Sequence, residues 1–262
     1  MTASMKMNRR AMLTAAAGLT TAGAASADAM AQPAPAAATI NHVSMGARNL
    51  YETAHNLRAE TGLGFYDGGF NGALGSKIFP LGAGAYLIVE GVVEPLALED
   101  ASNAAARQMH QSVADGDVFR GFCVRALTMT DLQAVAARHG WPAPVLNRNV
   151  GRIRNDGSRQ LAAGVPPVAE AWPRGLPNFN FFPEPETHPS GQPVIAAAGL
   201  VQPLGIAWLE VGGSKADMDA WVGPGAQALP LRFNGRAPGV YALAVKTAAK
   251  EIVITGRPAP AS

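Results

Sequence analysis

The chain has 262 residues, a formal net charge of +2, 15% charged side chains, 29 glycines, 20 prolines and one cysteine. That length holds one large domain or two small modules with a real core, and the single cysteine excludes an intramolecular disulfide or a cysteine-rich metal site. The glycine and proline content argues for short strands and many turns, against a helix bundle.

Residues 1–31 have the three-part order of a secretory signal. A short basic stretch with the pair Arg9-Arg10 is followed by Met12-Leu13, a mildly apolar run to about residue 25, and small residues at Ala29-Met30-Ala31. The paired arginines look like the twin-arginine variant. This predicts cleavage near Ala31, export by the twin-arginine machinery, a periplasmic location, and a flexible leader over 32–38. The segment holds Lys6, Arg9, Arg10 and Asp28, so the remaining chain has equal numbers of basic and acidic side chains. The pI of about 8.9 therefore belongs partly to the leader, and nothing in the charge supports nucleic-acid binding.

Residues 39–45 alternate apolar and polar side chains and predict a strand. Asn49 caps a helix over 50–60, where Leu50, Ala54 and Leu57 recur at helical spacing, and Thr61-Gly62 ends it. A strand over 64–67 closes in a Gly68-Gly69 turn, and strands over 76–81 and 86–93 follow on either side of Gly82-Ala83-Gly84. Residues 39–95 thus read strand, helix, strand, strand, strand. Residues 96–117 form a polar, alanine-rich, partly helical connector.

The order restarts in a second, elaborated region over 118–256. A strand over 118–127 leads to a helix capped by Thr130 or Asp131, with Leu132, Val135 and Ala136 on one face and His139-Gly140 at its end. Asn155-Asp156-Gly157, between segments 145–153 and 158–163, is a hairpin signal, and 178–182 predicts a strand inside a proline-rich loop. A third start gives a strand over 205–211, a helix over 215–222 capped by Ser214, and strands over 229–233, 240–246 and 251–255, with a tail at 257–262. Repetition without a long helical crossover argues for an α+β fold of paired modules, not a doubly wound parallel sheet. Cys123, in the apolar run Gly121-Phe-Cys-Val124, reads as a small buried hydrophobe.

Ile40-Asn-His-Val43 with the helix after it, Gly68-Gly69, and Leu81-Gly-Ala-Gly-Ala-Tyr-Leu87 come first. Gly121-Phe-Cys-Val-Arg125, Gly151-Arg-Ile-Arg-Asn-Asp-Gly157 and His188-Pro-Ser-Gly191 follow. In this order they resemble the glyoxalase-like proteins of the vicinal oxygen chelate superfamily. The resemblance implies paired βαβββ modules curled around a cleft. It also implies a divalent metal, such as zinc, manganese, iron or nickel, held by His and Glu on strands and taking two neighbouring substrate oxygens. The chain departs from the family pattern in places. Asn71 stands where the family has His after the glycine pair, Ile88 where it has Glu, and no second-module His is evident at Gly121-Phe122.

His42 is the first candidate site residue, as metal ligand or general base; a core histidine satisfied by the backbone is the other reading. Glu90, two residues past the expected position, points to the same face as that position and would complete a ligand pair or act as a base. Glu210, beside Trp208, and His188, in a proline-rich loop, are the remaining metal candidates. Arg152 and Arg154, in the family-like segment, are candidates to grip an acidic substrate; the other arginines of that stretch, Arg120 among them, read as surface ion pairs. His55, His110 and His139 read as solvated. The expected function is an exported lyase, isomerase or dioxygenase-type enzyme acting on a small oxygen-rich molecule. A periplasmic binding or resistance protein using the same cleft without turnover is the alternative. A homodimer is a further candidate assembly.

Overall fold

Strand and helix signals along 39–95 resolve into β1 (Thr39–Gly46), α1 (Leu50–Thr61), β2 (Tyr66–Asn71), β3 (Leu74–Gly82) and β4 (Ala85–Val92). The computed structural model describes residues 38–71, 73–100, 102–147, 161–183 and 201–260, all within the unit Pro35–Ser262. The expected signal over 1–31 and nearly all of the leader lie outside the described residues. Asn49 caps α1 by accepting the Glu52 N–H, and Gly62 ends it with a φ of 72°, a conformation glycine adopts without a Cβ penalty. Leu50, Ala54 and Leu57 of α1 are buried, and the helix packs on β3 and β4. β1 pairs parallel with β4, and β4, β3 and β2 continue antiparallel, the pairing order of a βαβββ module. Gly68-Gly69 does not close a turn. β2 runs through it with a register shift between Asp67 and Gly69; a glycine pair relaxes into a bulge as readily as into a turn.

The second module contains α2 (Ala104–Ser112) ahead of β5 (Val118–Arg125), then α3 (Met129–His139), β6 (Ala163–Val165), the short α4 (Val168–Ala171) and β7 (Asn178–Phe181). β5 pairs antiparallel with β1, β7 parallel with β5, and β6 antiparallel with β7. Among the described residues, one isolated bridge, Asn147↔Ala162, stands where the first module has its outer strand. The hairpin turn expected at Asn155-Asp156-Gly157 lies outside the described residues. α3 is capped two or three residues earlier than expected. Thr128 accepts the Asp131 N–H while the Asp131 carboxylate accepts the Thr128 N–H, a reciprocal box that places Thr130 and Asp131 inside the helix.

The chain continues as β8 (Pro203–Gly212), α5 (Lys215–Val222), β9 (Leu231–Phe233), β10 (Gly239–Thr247), β11 (Glu251–Thr255) and β12 (Arg257–Pro258). The order of elements agrees with the sequence reading, but the pairing does not repeat the first module. β8 lies inside its four-stranded sheet, parallel to β9 and antiparallel to β10. Residues 257 and 258, read from sequence as tail, pair parallel with Val118 and Phe119 of β5, and the Ala259 N–H donates to the Phe119 carbonyl at 2.7 Å. The ends of α3 and α5 are joined. Arg138 donates to the Trp221 and Val222 carbonyls at 3.0 and 2.9 Å. His139 is not solvated: its ring stacks on Trp141 at 4.2 Å, and Nε2 lies 2.8 Å from the Trp221 carbonyl.

These pairings give the β4-β1-β5-β7 part of the large sheet two different faces. Val43, Met45, Leu87, Val89, Phe119 and Phe122 face the same way through the ladders and are buried in the main apolar core that also takes in α1. The opposite face carries the polar rows of the candidate site and, beside them, Val118 packed on Met109 of α2 and on Val113 just after it.

Candidate functional site

Four strands line up one polar row. Tyr86 on β4 is the register partner of His42 on β1, His42 that of Cys123 on β5, and Cys123 that of Asn178 on β7. The His42 ring stacks on Tyr86 with centroids 4.8 Å apart and planes 18° from parallel. His42 Nδ1 is 2.8 Å from Asn41 Oδ1, and Nε2 is 3.0 Å from Cys123 Sγ. The Cys123 sulfur also contacts Asn178 Oδ1, and Asn178 donates from Nδ2 to Asn180 Oδ1 at 3.1 Å. Asn41, Cys123 and Asn178 are buried while His42 is half-buried, so the row runs from interior to accessible surface through the imidazole. With Nδ1–H donating to Asn41 Oδ1, Nε2 carries the lone pair and faces the thiol.

A second polar row sits one step along the same face. The Ser44 hydroxyl donates to Glu90 Oε2 at 3.2 Å, and Arg120 Nη1 donates to the same oxygen at 2.8 Å. Each partner of this ion pair is only about a quarter exposed, at 23% and 24%. Two register shifts in the β1–β5 ladder explain the composition of both rows. One falls between Ile40 and His42 and makes Asn41 an extra residue; the other falls between Ser44 and Met45 and does the same for Arg120. A bulge re-aims its extra side chain. Here each delivers a polar group, Asn41 to His42 and Arg120 to Glu90.

Gly121 separates the rows on β5, and the Trp172 indole lies over it where a Cβ would be. The indole N–H donates to the Phe122 carbonyl at 3.1 Å, and the Arg120 guanidinium sits 5.4 Å from the ring. Trp172 therefore covers the sheet between the rows and stacks beside the Arg120–Glu90 pair.

His42 and Glu90 share this face, as side-chain parity predicts. Glu210 belongs to the four-stranded sheet and accepts from Asn234 Nδ2 at 2.8 Å. His188, Arg152 and Arg154 lie outside the described residues. Six residues of the rows, Tyr86 among them, were not candidates from the sequence. Arg120 is a partner of Glu90 and not a surface ion pair, and Cys123, although buried, is a polar neighbour of His42. Ser44 was findable, being two residues from His42 on the same strand face; nothing local marks Asn41 or Asn178.

The glyoxalase-like domain family matches residues 40–222, both modules and the start of the last sheet. The chain belongs to this glyoxalase-like domain family.

Solved structures are similar to this chain at low identity. A hypothetical protein from Staphylococcus aureus is 10% identical, with 86% of this chain and 88% of that one covered at a TM-score of 0.46. The Mn(II)-bound glyoxalase from Novosphingobium aromaticivorans is 11% identical over 77% and 62%, at 0.45. Methylmalonyl-CoA epimerase from Mycobacterium tuberculosis is 12% identical over 55% and 85%, at 0.37. Likeness of this degree carries no activity over to this chain. No curated relative matches it in sequence.

The glyoxalase-like fold raises the question of a metal, and the described donors do not fit one. No three His, Cys, Asp or Glu side chains among the described residues come together as a ligand group, whereas a catalytic site usually offers three. Glu90 is held by Arg120 and Ser44, and Glu210 by Asn234. The described residues of the expected set His42, Glu90, Glu210 and His188 are thus not gathered.

Proposed function

We propose that this glyoxalase-like protein is an exported enzyme of the isomerase or lyase kind that moves a proton on a small oxygen-rich molecule, such as a hydroxy or oxo acid or a ring-cleavage intermediate. The observation that carries this reading is the setting of His42. Its imidazole is oriented at Nδ1 by Asn41 and flattened against Tyr86, with Nε2 turned to a thiol. A thiol is a weak hydrogen-bonding group, so a substrate proton can take its place at Nε2. In this reading His42 Nε2 accepts a proton from a carbon next to a carbonyl, and the C–H electron pair moves to the carbonyl oxygen. The Arg120 guanidinium, on the next row of the same face, stabilises the resulting oxyanion. The same imidazolium returns the proton. Each step uses residues of this chain alone.

Export through the twin-arginine machinery and work in the periplasm belong to the same proposal and rest on Arg9-Arg10 and the mild apolar run after them. One observation favours the second reading, a binding protein without turnover: Glu90 is already neutralised by Arg120. Incubation in D2O with a panel of small hydroxy and oxo acids, followed by proton NMR, separates the two. Loss of an α-proton signal supports the enzyme; binding without exchange across the panel leaves the non-catalytic reading. Calorimetry of chelator-stripped protein with zinc, manganese, iron(II) and nickel tests whether a metal takes part.

A further inference from the structure

A cavity of about 220 Å3 opens at the start of β5. Arg120 and Trp172 line it, together with Pro173 and Pro238, and Gln108 and Gln111 of α2 form a polar edge. Arg120 is the only charged side chain among its described lining residues. We infer that this cavity is a binding site for a small ring-bearing monocarboxylate, with Arg120 gripping the carboxylate and the ring held against Trp172 and the prolines.

Size, shape and charge each narrow the ligand. Drug-sized pockets run to roughly 300–1,000 Å3, so this cavity suits a single ring with one substituent. Indole and proline present flat, rigid, apolar surfaces, which favour a flat or compact ring over a flexible chain. A guanidinium has five N–H donors in a fork that matches a carboxylate. Among the described contacts the Arg120 guanidinium makes one hydrogen bond, to Glu90 Oε2. The nearby Glu90 carboxylate argues against a phosphate or a dicarboxylate, because it repels each further negative charge brought to the site.

The ligand carboxylate and Glu90 compete for the charge of one guanidinium, not for its N–H donors. Binding therefore loosens Glu90, which remains bonded to Ser44 on the His42 face. The cavity shares Arg120 with the reaction proposed above, but its occupancy is read by binding alone, so failure of the His42 chemistry would leave it intact.

The test is calorimetric titration of the full chain with benzoate, cyclohexanecarboxylate and the neutral isostere benzamide. Both carboxylates should bind, and benzamide should bind at least about tenfold more weakly. Arg120→Gln should weaken benzoate about tenfold or more. Glu90→Gln, by removing the competitor, should tighten it several-fold. If Arg120→Gln melts before it can be titrated, the benzoate-to-benzamide ratio on the parent and the sign of the Glu90→Gln effect decide. Equal affinity for benzamide and benzoate, weaker binding in Glu90→Gln, or no heat with either carboxylate overturns the assignment.

Discussion

His42 Nε2 faces the sulfur of Cys123 at 3.0 Å across the antiparallel β1–β5 ladder. The buried thiol directs its one S–H to Asn178 Oδ1 and sets its sulfur against the imidazole. Cys123→Ala removes that donor and leaves the buried Asn178 Oδ1 short of a bond, at a cost of roughly 1–3 kcal/mol. Cys123→Ser keeps a donor and an acceptor on a shorter arm and should cost less. Urea unfolding midpoints of the two variants check the order; an alanine variant as stable as the parent would mean that the contact contributes nothing.

Glu90 and Arg120 form an ion pair that is mostly shielded from solvent. Exposed pairs contribute about 0–1 kcal/mol. A pair three-quarters buried, with Ser44 on the same oxygen, should sit near the top of that range, at about 1 kcal/mol. A double-mutant cycle of Glu90→Gln and Arg120→Met measures it. The coupling should fall only modestly between 0.05 and 0.5 M salt, on the order of a few tenths of a kcal/mol, because the pair is partly screened from ions.

Gly121 is replaceable only if Trp172 moves, since a Cβ there falls inside the indole. Gly121→Ala should cost about 1–3 kcal/mol through overpacking and release the indole N–H from the Phe122 carbonyl. A lowered melting temperature with a red-shifted tryptophan emission is the expected result. Unchanged emission would place Trp172 elsewhere.

Arg9→Lys with Arg10→Lys should block export. Intact mass of periplasmic material from the parent should correspond to a chain starting just after Ala31. Mature protein in the periplasm from the double variant, or periplasmic parent still carrying Met1, would count against a twin-arginine signal.

Much of the fold was legible because its signals are local. Asn49 before an apolar-periodic run and Gly62 after it bound α1 to within a residue; alternation along 39–45 found β1, and the segment 86–93 after the Gly82-Ala83-Gly84 turn found β4. Parity also put Glu90 on the face of His42. The rest depends on which strands meet. A bulge adds one residue and breaks the period of two, so Asn41 and Arg120 were invisible as members of the polar face. Cys123 looked apolar because its neighbours in sequence are apolar; its polar partners come from β1 and β7. The β8 pairing likewise follows from non-local choices that an order of elements does not fix. Arg152, Arg154 and His188 lie outside the described residues, so their proposed roles stand on the sequence alone.

In the proposed reaction His42 carries the proton. The most direct measurement is the rate of α-proton exchange in D2O, by NMR, for the hydroxy or oxo acid that the parent protein exchanges fastest, compared with His42→Gln. A positioned general base contributes about 10²–10⁴-fold, so His42→Gln should slow exchange at least about a hundredfold while the far-UV circular dichroism stays that of the parent. A folded His42→Gln protein that exchanges the same acid at the parent's rate would contradict the account.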